Sequence, residues 1–247
     1  MTSLSKEELI FMAKVCEQAE KYKDMLSYAK KLILQIPDEG PNIEERNLLS
    51  VAYKNLIGDK RTSWRAISSI EQKELLKGYP HAHLIVQKRK IIEEELKEIC
   101  YDALDFVENN LLKSSHTAHS RILFTRMKGD YYRYLVECLH GDEKSDTMDQ
   151  CYETYDEVME IAETELKATD PTRLSLALNF SVNWYEFLGN RAKGREIGRK
   201  AFNDAIEELE ELDDENYREA TMLMQMLRAN ETRWMVEEKP EQAEQSN

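Results

Sequence analysis

Residues 47–71 read NLLSVAYKNLIGDKRTSWRAISSIE, and they lie in one long helical stretch that runs from about Asn42 to Lys77, with Gly58 as its weak point. The whole chain carries 34 Lys+Arg against 48 Asp+Glu, a formal net charge of −14. Yet between Ala52 and Arg65 there are four cations, Lys54, Lys60, Arg61 and Arg65, and a single acid, Asp59. Lys54 and Arg61 are seven residues apart, two helical turns, so on a helix they point the same way. Basic groups gathered on one face of an acidic protein suggest a site for a defined anion.

Working outward, the composition favours a mostly helical protein. The chain has 8 Gly and 5 Pro in 247 residues, where average usage gives roughly 17 and 12. No apolar run approaches the ~18–20 residues needed to span a bilayer. The start, MTSLSKEELIFMAKV, lacks the basic region, apolar core and cleavage site of a signal peptide. A cytoplasmic or nuclear protein is expected. The excess acid argues against a general nucleic-acid binder, because phosphate backbones demand a basic face. Cys16, Cys100, Cys138 and Cys151 form no CxxC pair and fit reduced, packed thiols in a reducing compartment.

Ser5 with Glu8 three residues later makes a capping-box start, after which Leu9, Met12, Ala13 and Cys16 recur at helical spacing. A junction at Glu20–Lys23 leads into a second helix, about Tyr22 to Ile36. Pro37-Asp-Glu-Gly-Pro41 is a firm break. Past the 42–77 stretch and a loop at Gly78–His83, a charged helix is predicted from Leu84 to about Leu112, and another from Ala118 to Leu139. A sixth covers about Lys144 to Lys167. Asp170-Pro171 places an N-cap and a first-turn proline on a seventh, reaching about Leu188. Two more follow, near Arg191–Leu212 and Asp214–Val236, and the tail EEKPEQAEQSN should be disordered. The fold class is therefore all-α, about nine helices with short connections that pack antiparallel. The spacing shows no 34-residue helical-repeat consensus.

Several polar groups sit oddly on these helices. Arg133 adjoins Tyr134 and precedes Glu137 by one turn. Asn179, Val182 and Glu186 share a face of an apolar helix, and the neighbours Leu178, Phe180 and Val182 predict that the Asn179 amide is buried. Leu223, Met226, Asn230 and Trp234 share a face of the last helix. A phosphoserine carries about −1.5 to −2 charges and three acceptor oxygens. Two arginines, a lysine and a tyrosine hydroxyl match that chemistry, and each charged hydrogen bond is worth about 1.5–3 kcal/mol. Catalytic signals are thin. His81-x-His83 and His116-x-x-His119 lack further ligands at a metal-site spacing, and there is no glycine-rich phosphate loop or nucleophile elbow. No cofactor, metal or catalytic residue is expected.

At these same residues the sequence resembles the 14-3-3 family of phosphopeptide-binding adaptors. NLLSVAYKNLIG with SWRAISSIEQK, then MKGDYYRYL, then RLSLALNFSVNWYE match its hallmark segments, supported by EQAEKYKDM and MLMQMLRANETRW. The resemblance covers about residues 4–236, in order. It implies one cup-shaped, nine-helix domain over 1–236 with an amphipathic groove, followed by an acidic tail at 237–247. It implies a phosphate pocket of Lys54, Arg61, Arg133 and Tyr134. Asn179 and Asn230 would hold the client backbone, with Glu186 and Trp234 nearby. Leu178, Val182, Met222, Leu223 and Met226 would form the apolar wall. Lys21, Asp24, Ser63, Lys88, Ile91 and Glu95 would lie at a dimer surface, with Ser63 a candidate for phosphorylation.

The chain departs from the family pattern in places. Ala229 replaces an acid, Arg233 an apolar residue, and Ser175 a glycine, which would narrow the groove near the phosphate. At the dimer surface Lys88 replaces a tyrosine and Ile91 a lysine. The expected partners are phosphoserine or phosphothreonine segments of client proteins and a second 14-3-3 chain, in a homodimer or heterodimer, with no nucleic acid or membrane. The competing reading is a helical-repeat scaffold whose clients need no phosphate.

Overall fold

The computed structural model describes residues 4–36, 40–78, 80–209 and 214–244. Among these it has nine α-helices and no strand: α1 (Lys6–Gln18), α2 (Tyr22–Leu34), α3 (Ile43–Leu76), α4 (Ala82–Phe106), α5 (Ala118–Cys138), α6 (Gly141–Glu165), α7 (Pro171–Val182), α8 (Arg191–Glu208) and α9 (Asp214–Glu244). None is long and apolar enough to cross a membrane among the described residues.

The helix starts follow from local chemistry. Ser5 Oγ accepts from Glu8 N at 3.2 Å while Glu8 Oε2 accepts from Ser5 N at 2.8 Å, closing the expected capping box. A second box, not anticipated, opens α3: Asn42 Oδ1 accepts from Glu45 N (3.1 Å) and Glu45 Oε2 from Asn42 N (2.9 Å). Glu45 is buried, and Lys6 Nζ at 2.7 Å supplies its counter-charge. Asp170 caps α7 through Thr172 N at 2.7 Å, with Pro171 in the first turn as predicted.

The helix ends differ more. α4 and α7 each run into a five-residue π-helical turn, Val107–Leu111 and Asn183–Phe187. Helical backbone in α9 continues to Glu244, past the Val236 at which the apolar pattern stops and into the tail expected to be disordered. Arg195 of α8 holds Glu231 at 3.3 Å and also binds Glu238, two turns apart on one face, which ties α9 down beyond Val236. Pro37–Glu39 of the expected break and residues 245–247 of the tail lie outside the described residues. Gly40 has φ +69°, and a Cβ there would stand 2.6 Å from Ser114 O, so a glycine is needed where the chain passes that carbonyl.

The chain divides into two compact units, Met1–Thr154 and Tyr155–Asn247. In the first, α1 packs on α2, α2 on α3, α3 on α4 and α4 on α5. Leu9, Met25, Leu32, Leu49, Tyr53, Leu96, Val107, Phe124 and Leu135 form its core. Tyr53 OH donates to Asp102 Oδ2 at 2.8 Å and Lys30 takes Oδ1 at 2.5 Å, so the polar tip of Tyr53 is satisfied in this core. In the second unit α7, α8 and α9 pack on one another around Leu174, Ala177, Leu178, Ala201, Ala205, Leu223 and Leu227. All four cysteines are free and buried, as the sequence pattern predicts, and burial pushes the Cys138 thiol up to about 12.

Candidate functional site

The basic residues gather in the first unit. Lys54 and Arg61 stand on α3, Arg133 and Tyr134 on α5. The two arginines meet over the Tyr134 ring, with Arg61 Cζ 4.1 Å and Arg133 Cζ 4.6 Å from its centroid. Burial first, then Asp130, raises the tyrosine's pKa against the opposing pull of Arg133 and Arg61, so its hydroxyl stays protonated and able to donate.

One carboxylate organises the cluster. Glu137, one turn after Arg133, accepts from Arg61 Nε at 3.1 Å and Nη2 at 2.5 Å. It also accepts from Arg65 Nη2 at 2.9 Å on both oxygens. Arg133 Nη1 is 4.0 Å away, and its Nη2 bonds Asp130 at 3.1 Å. The chain's own anion therefore occupies the centre. The sequence leaves the role of Arg65 open; here it is an ion-pair partner of Glu137, and it is more exposed than Arg61. Lys54 is exposed and makes no ion pair among the described residues. Three cations, Arg61, Arg65 and Arg133, face two carboxylates, Asp130 and Glu137, leaving a local charge of +1, and Lys54 stands two turns before Arg61 on α3. Chemically, the arrangement offers guanidinium and ammonium donors plus a phenol to an incoming anion.

The amide and apolar residues lie in the second unit. Leu178 and Leu223 belong to its core, Val182 is half-buried, and Met222 and Met226 are exposed on α9. Asn230 is half-buried. Asn179 is exposed, not buried as its apolar neighbours suggest. Adjacent helical residues diverge by about 100°, so flanking Leu178 and Phe180 do not fix its face. Trp234 is also placed otherwise than on an open face: it is 1% exposed and stacked on Tyr185, 4.2 Å between centroids and 13° between planes. Glu186, on the π-turn, is bound by Arg233 Nη2 at 2.5 Å. The Ser175 hydroxyl turns back to Thr172 O at 3.0 Å.

The residues expected at a dimer surface fall into two groups. Lys21 and Asp24 are exposed beside a depression of about 640 Å³ that Asn55, Leu56 and Asp59 also line. On α4, Lys88 and Ile91 are exposed, and Glu95 pairs with Lys60 at 2.7 Å, a contact that holds its carboxyl below the usual range. Ser63 is half-buried on α3. The motif reading missed the exposed apolar side chains Phe11 and Val15 of α1 and Leu84 of α4. Their signal is apolar residues outside the buried stripe, such as Phe11 between Leu9 and Ala13.

Comparison with known proteins gives concordant matches. The family model described as 14-3-3 protein matches residues 12–235. The chain is 45% identical over 234 residues to 14-3-3 protein 10 of Solanum lycopersicum, covering 94% of this chain and 93% of that one. It is 46% identical over 233 residues to the checkpoint signal transducer rad25 of Schizosaccharomyces pombe, covering 94% and 86%. To a 14-3-3-like protein of Chlamydomonas reinhardtii it is 43% identical over 233 residues, covering 94% and 90%.

Proposed function

The chain belongs to the 14-3-3 family, and we propose that it is a non-enzymatic adaptor that binds phosphoserine or phosphothreonine in extended segments of client proteins. The observation that carries this reading is the surplus of positive charge around Tyr134 in a chain of net charge −14. A phosphate dianion brings roughly the charge the cluster lacks and three acceptor oxygens. Lys54 Nζ and Arg61 Nη1 make no hydrogen bond among the described residues and are the first donors to reach it. Arg133 and the Tyr134 hydroxyl complete the set. Glu137 keeps the Arg61 plane fixed, so little side-chain freedom is lost when the anion arrives.

The client's flanking backbone is taken by Asn179 and Asn230, and its apolar side chains by Leu178, Val182, Leu223, Met222 and Met226. The two methionines are exposed and unbranched, so they adapt to different clients. Trp234 supports this surface from beneath through its stack on Tyr185. A dimer, homo- or heteromeric, would form through α1, α2 and α4, using Phe11, Val15, Lys21, Asp24, Leu84, Lys88, Ile91 and the Lys60–Glu95 pair, with Ser63 near it. Two linked sites raise avidity through effective concentration. The adaptor acts in the cytoplasm.

The test is a titration of a fluorescent RSx(pS)xP-like peptide and its unphosphorylated twin, read by anisotropy. Phosphate-dependent binding is expected. Equal affinity for the two peptides would replace this reading with a scaffold that ignores phosphate.

A further inference from the structure

The second unit carries an ion pair that bears on which clients are read. Glu186 presents its carboxylate from the Asn183–Phe187 turn, and Arg233 of α9 reaches across to it at 2.5 Å. Arg233 Nε also lies 3.7 Å from Glu237 Oε1, one turn on. Both members of the cross-element pair remain accessible, Arg233 at 51% and Glu186 at 38%. Arg233 Nη1 makes no hydrogen bond or ion pair among the described residues, and its guanidinium carbon lies 6.0 Å from the Trp234 ring centroid.

Charges of both signs surround the pair. Ala229, one turn before Arg233, brings no charge. Arg228 is exposed and its guanidinium has no partner among the described residues. Glu231 is already taken by Arg195 at 3.3 Å and Arg199 at 2.7 Å of α8. Arg228, Ala229, Thr232, Arg233, Val236 and Glu237 line a shallow depression of about 760 Å³ along this stripe of α9. A client side chain arriving here meets two arginines, Arg228 and Arg233, and the Glu237 carboxylate, while Glu186 is held by Arg233.

We propose that Arg233 is a specificity-determining residue: by holding Glu186 it withdraws the carboxylate that would attract a basic client residue, and it presents its unused N–H groups to an acidic one. This inference rests on the phosphopeptide reading above and names the client chemistry, phosphorylated segments with Asp or Glu rather than Lys or Arg beside Glu186. A guanidinium has five donors in one plane, so Arg233 accommodates a client carboxylate without releasing Glu186. Because the pair is solvent-accessible, its effect on binding is bounded to about fivefold.

The experiment uses the full chain and phosphoserine peptides that carry Glu, Ala or Arg at successive positions on both sides of the phosphoserine, each with an unphosphorylated control. Wild type should bind the best-placed Glu peptide more tightly than its Arg counterpart. Arg233→Leu should move that ratio about twofold to fivefold toward Arg, and Arg233→Gln, which keeps length and polarity but not charge, should do the same. Arg233→Lys should restore the wild-type preference, which a merely structural staple would not require. Adding Glu186→Gln to Arg233→Leu should cancel the shift. An unchanged Glu/Arg ratio in Arg233→Leu and Arg233→Gln, with phosphate dependence intact, overturns this inference alone. Loss of phosphate dependence in wild type overturns the phosphopeptide reading and this inference with it.

Discussion

Arg61 and Arg65 both bond Glu137, yet the proposed phosphate site gives them unequal parts, and comparing Arg61→Ala with Arg65→Ala tests that proposal. Arg61 is 19% exposed, lies against the Tyr134 ring, and keeps Nη1 unused. If it gives a phosphate two charge-assisted hydrogen bonds at about 1.5 kcal/mol each, its loss costs about 3 kcal/mol, roughly a hundredfold in Kd. Arg65 is 53% exposed and its Nη2 is committed to both Glu137 oxygens. Its removal takes away one screened surface charge, about 0–1 kcal/mol, or at most about fivefold. The fold should survive either change, because Glu137 retains one arginine partner. The assay is anisotropy titration of one phosphopeptide against both variants and wild type, with circular dichroism to confirm helix content. A folded Arg61→Ala protein that binds within about twofold of wild type, or an Arg65→Ala protein that loses more than Arg61→Ala, would refute the reasoning.

Three further outcomes are expected. Phosphopeptide binding should weaken as pH falls through about 6, where phosphoserine gains a proton and its charge drops toward −1. In a Lys54→Arg variant, which keeps its cation at high pH, it should hold as pH rises through the ordinary tyrosine range near about 10, because burial raises the Tyr134 pKa and keeps the donor proton in place; a decline in that variant would show that Tyr134 titrates in the open. Gly194→Ala should lower Tm, since the new Cβ would lie 2.6 Å from Ser181 O and 2.8 Å from Tyr185 N, both backbone atoms. Overpacking of about 1–3 kcal/mol corresponds to roughly 2–10 °C in a thermal melt, and an unchanged melt would contradict the close α7–α8 contact. Phe11→Asp with Ile91→Asp should shift the protein toward monomer in sedimentation velocity at low concentration, because both side chains are exposed and apolar. An unchanged sedimentation coefficient would move the dimer surface elsewhere.

What the sequence made legible was local. Ser5 with Glu8 and Asp170 with Pro171 announce helix starts, because a cap is written within four residues. The stripe placing Lys54 and Arg61 on one face needed only helical periodicity. Tertiary pairing was not legible. Glu137 could be seen one turn from Arg133, but nothing in the chain announces that it reaches Arg61 and Arg65 on another helix. The π-turns were hidden too, since one extra residue per turn looks like ordinary helix until its hydrogen bonds are traced. Asn179 shows the limit most clearly. Its apolar neighbours argued burial, but a helix sends adjacent residues in different directions, and the amide emerges at the surface.

The cluster around Tyr134 also argues its own purpose. A purely structural ion network tends toward balance, because two unit charges about 4 Å apart near a surface repel by roughly 4 kcal/mol. Here Glu137 bridges Arg61 and Arg65 and stands near Arg133, while Asp130 attends Arg133. Even so, the three arginines outnumber the two carboxylates. Stacking on Tyr134 holds two guanidinium groups in place despite that excess. The chain's own carboxylates relieve only part of the repulsion, and they do so with one charge each. On the proposed reading, a phosphate dianion held by these arginines and Lys54 would relieve the remainder, and the stabilisation withheld in the free protein would appear on binding. That difference between one charge and two gives a physical basis for reading phosphate in preference to an ordinary acidic side chain.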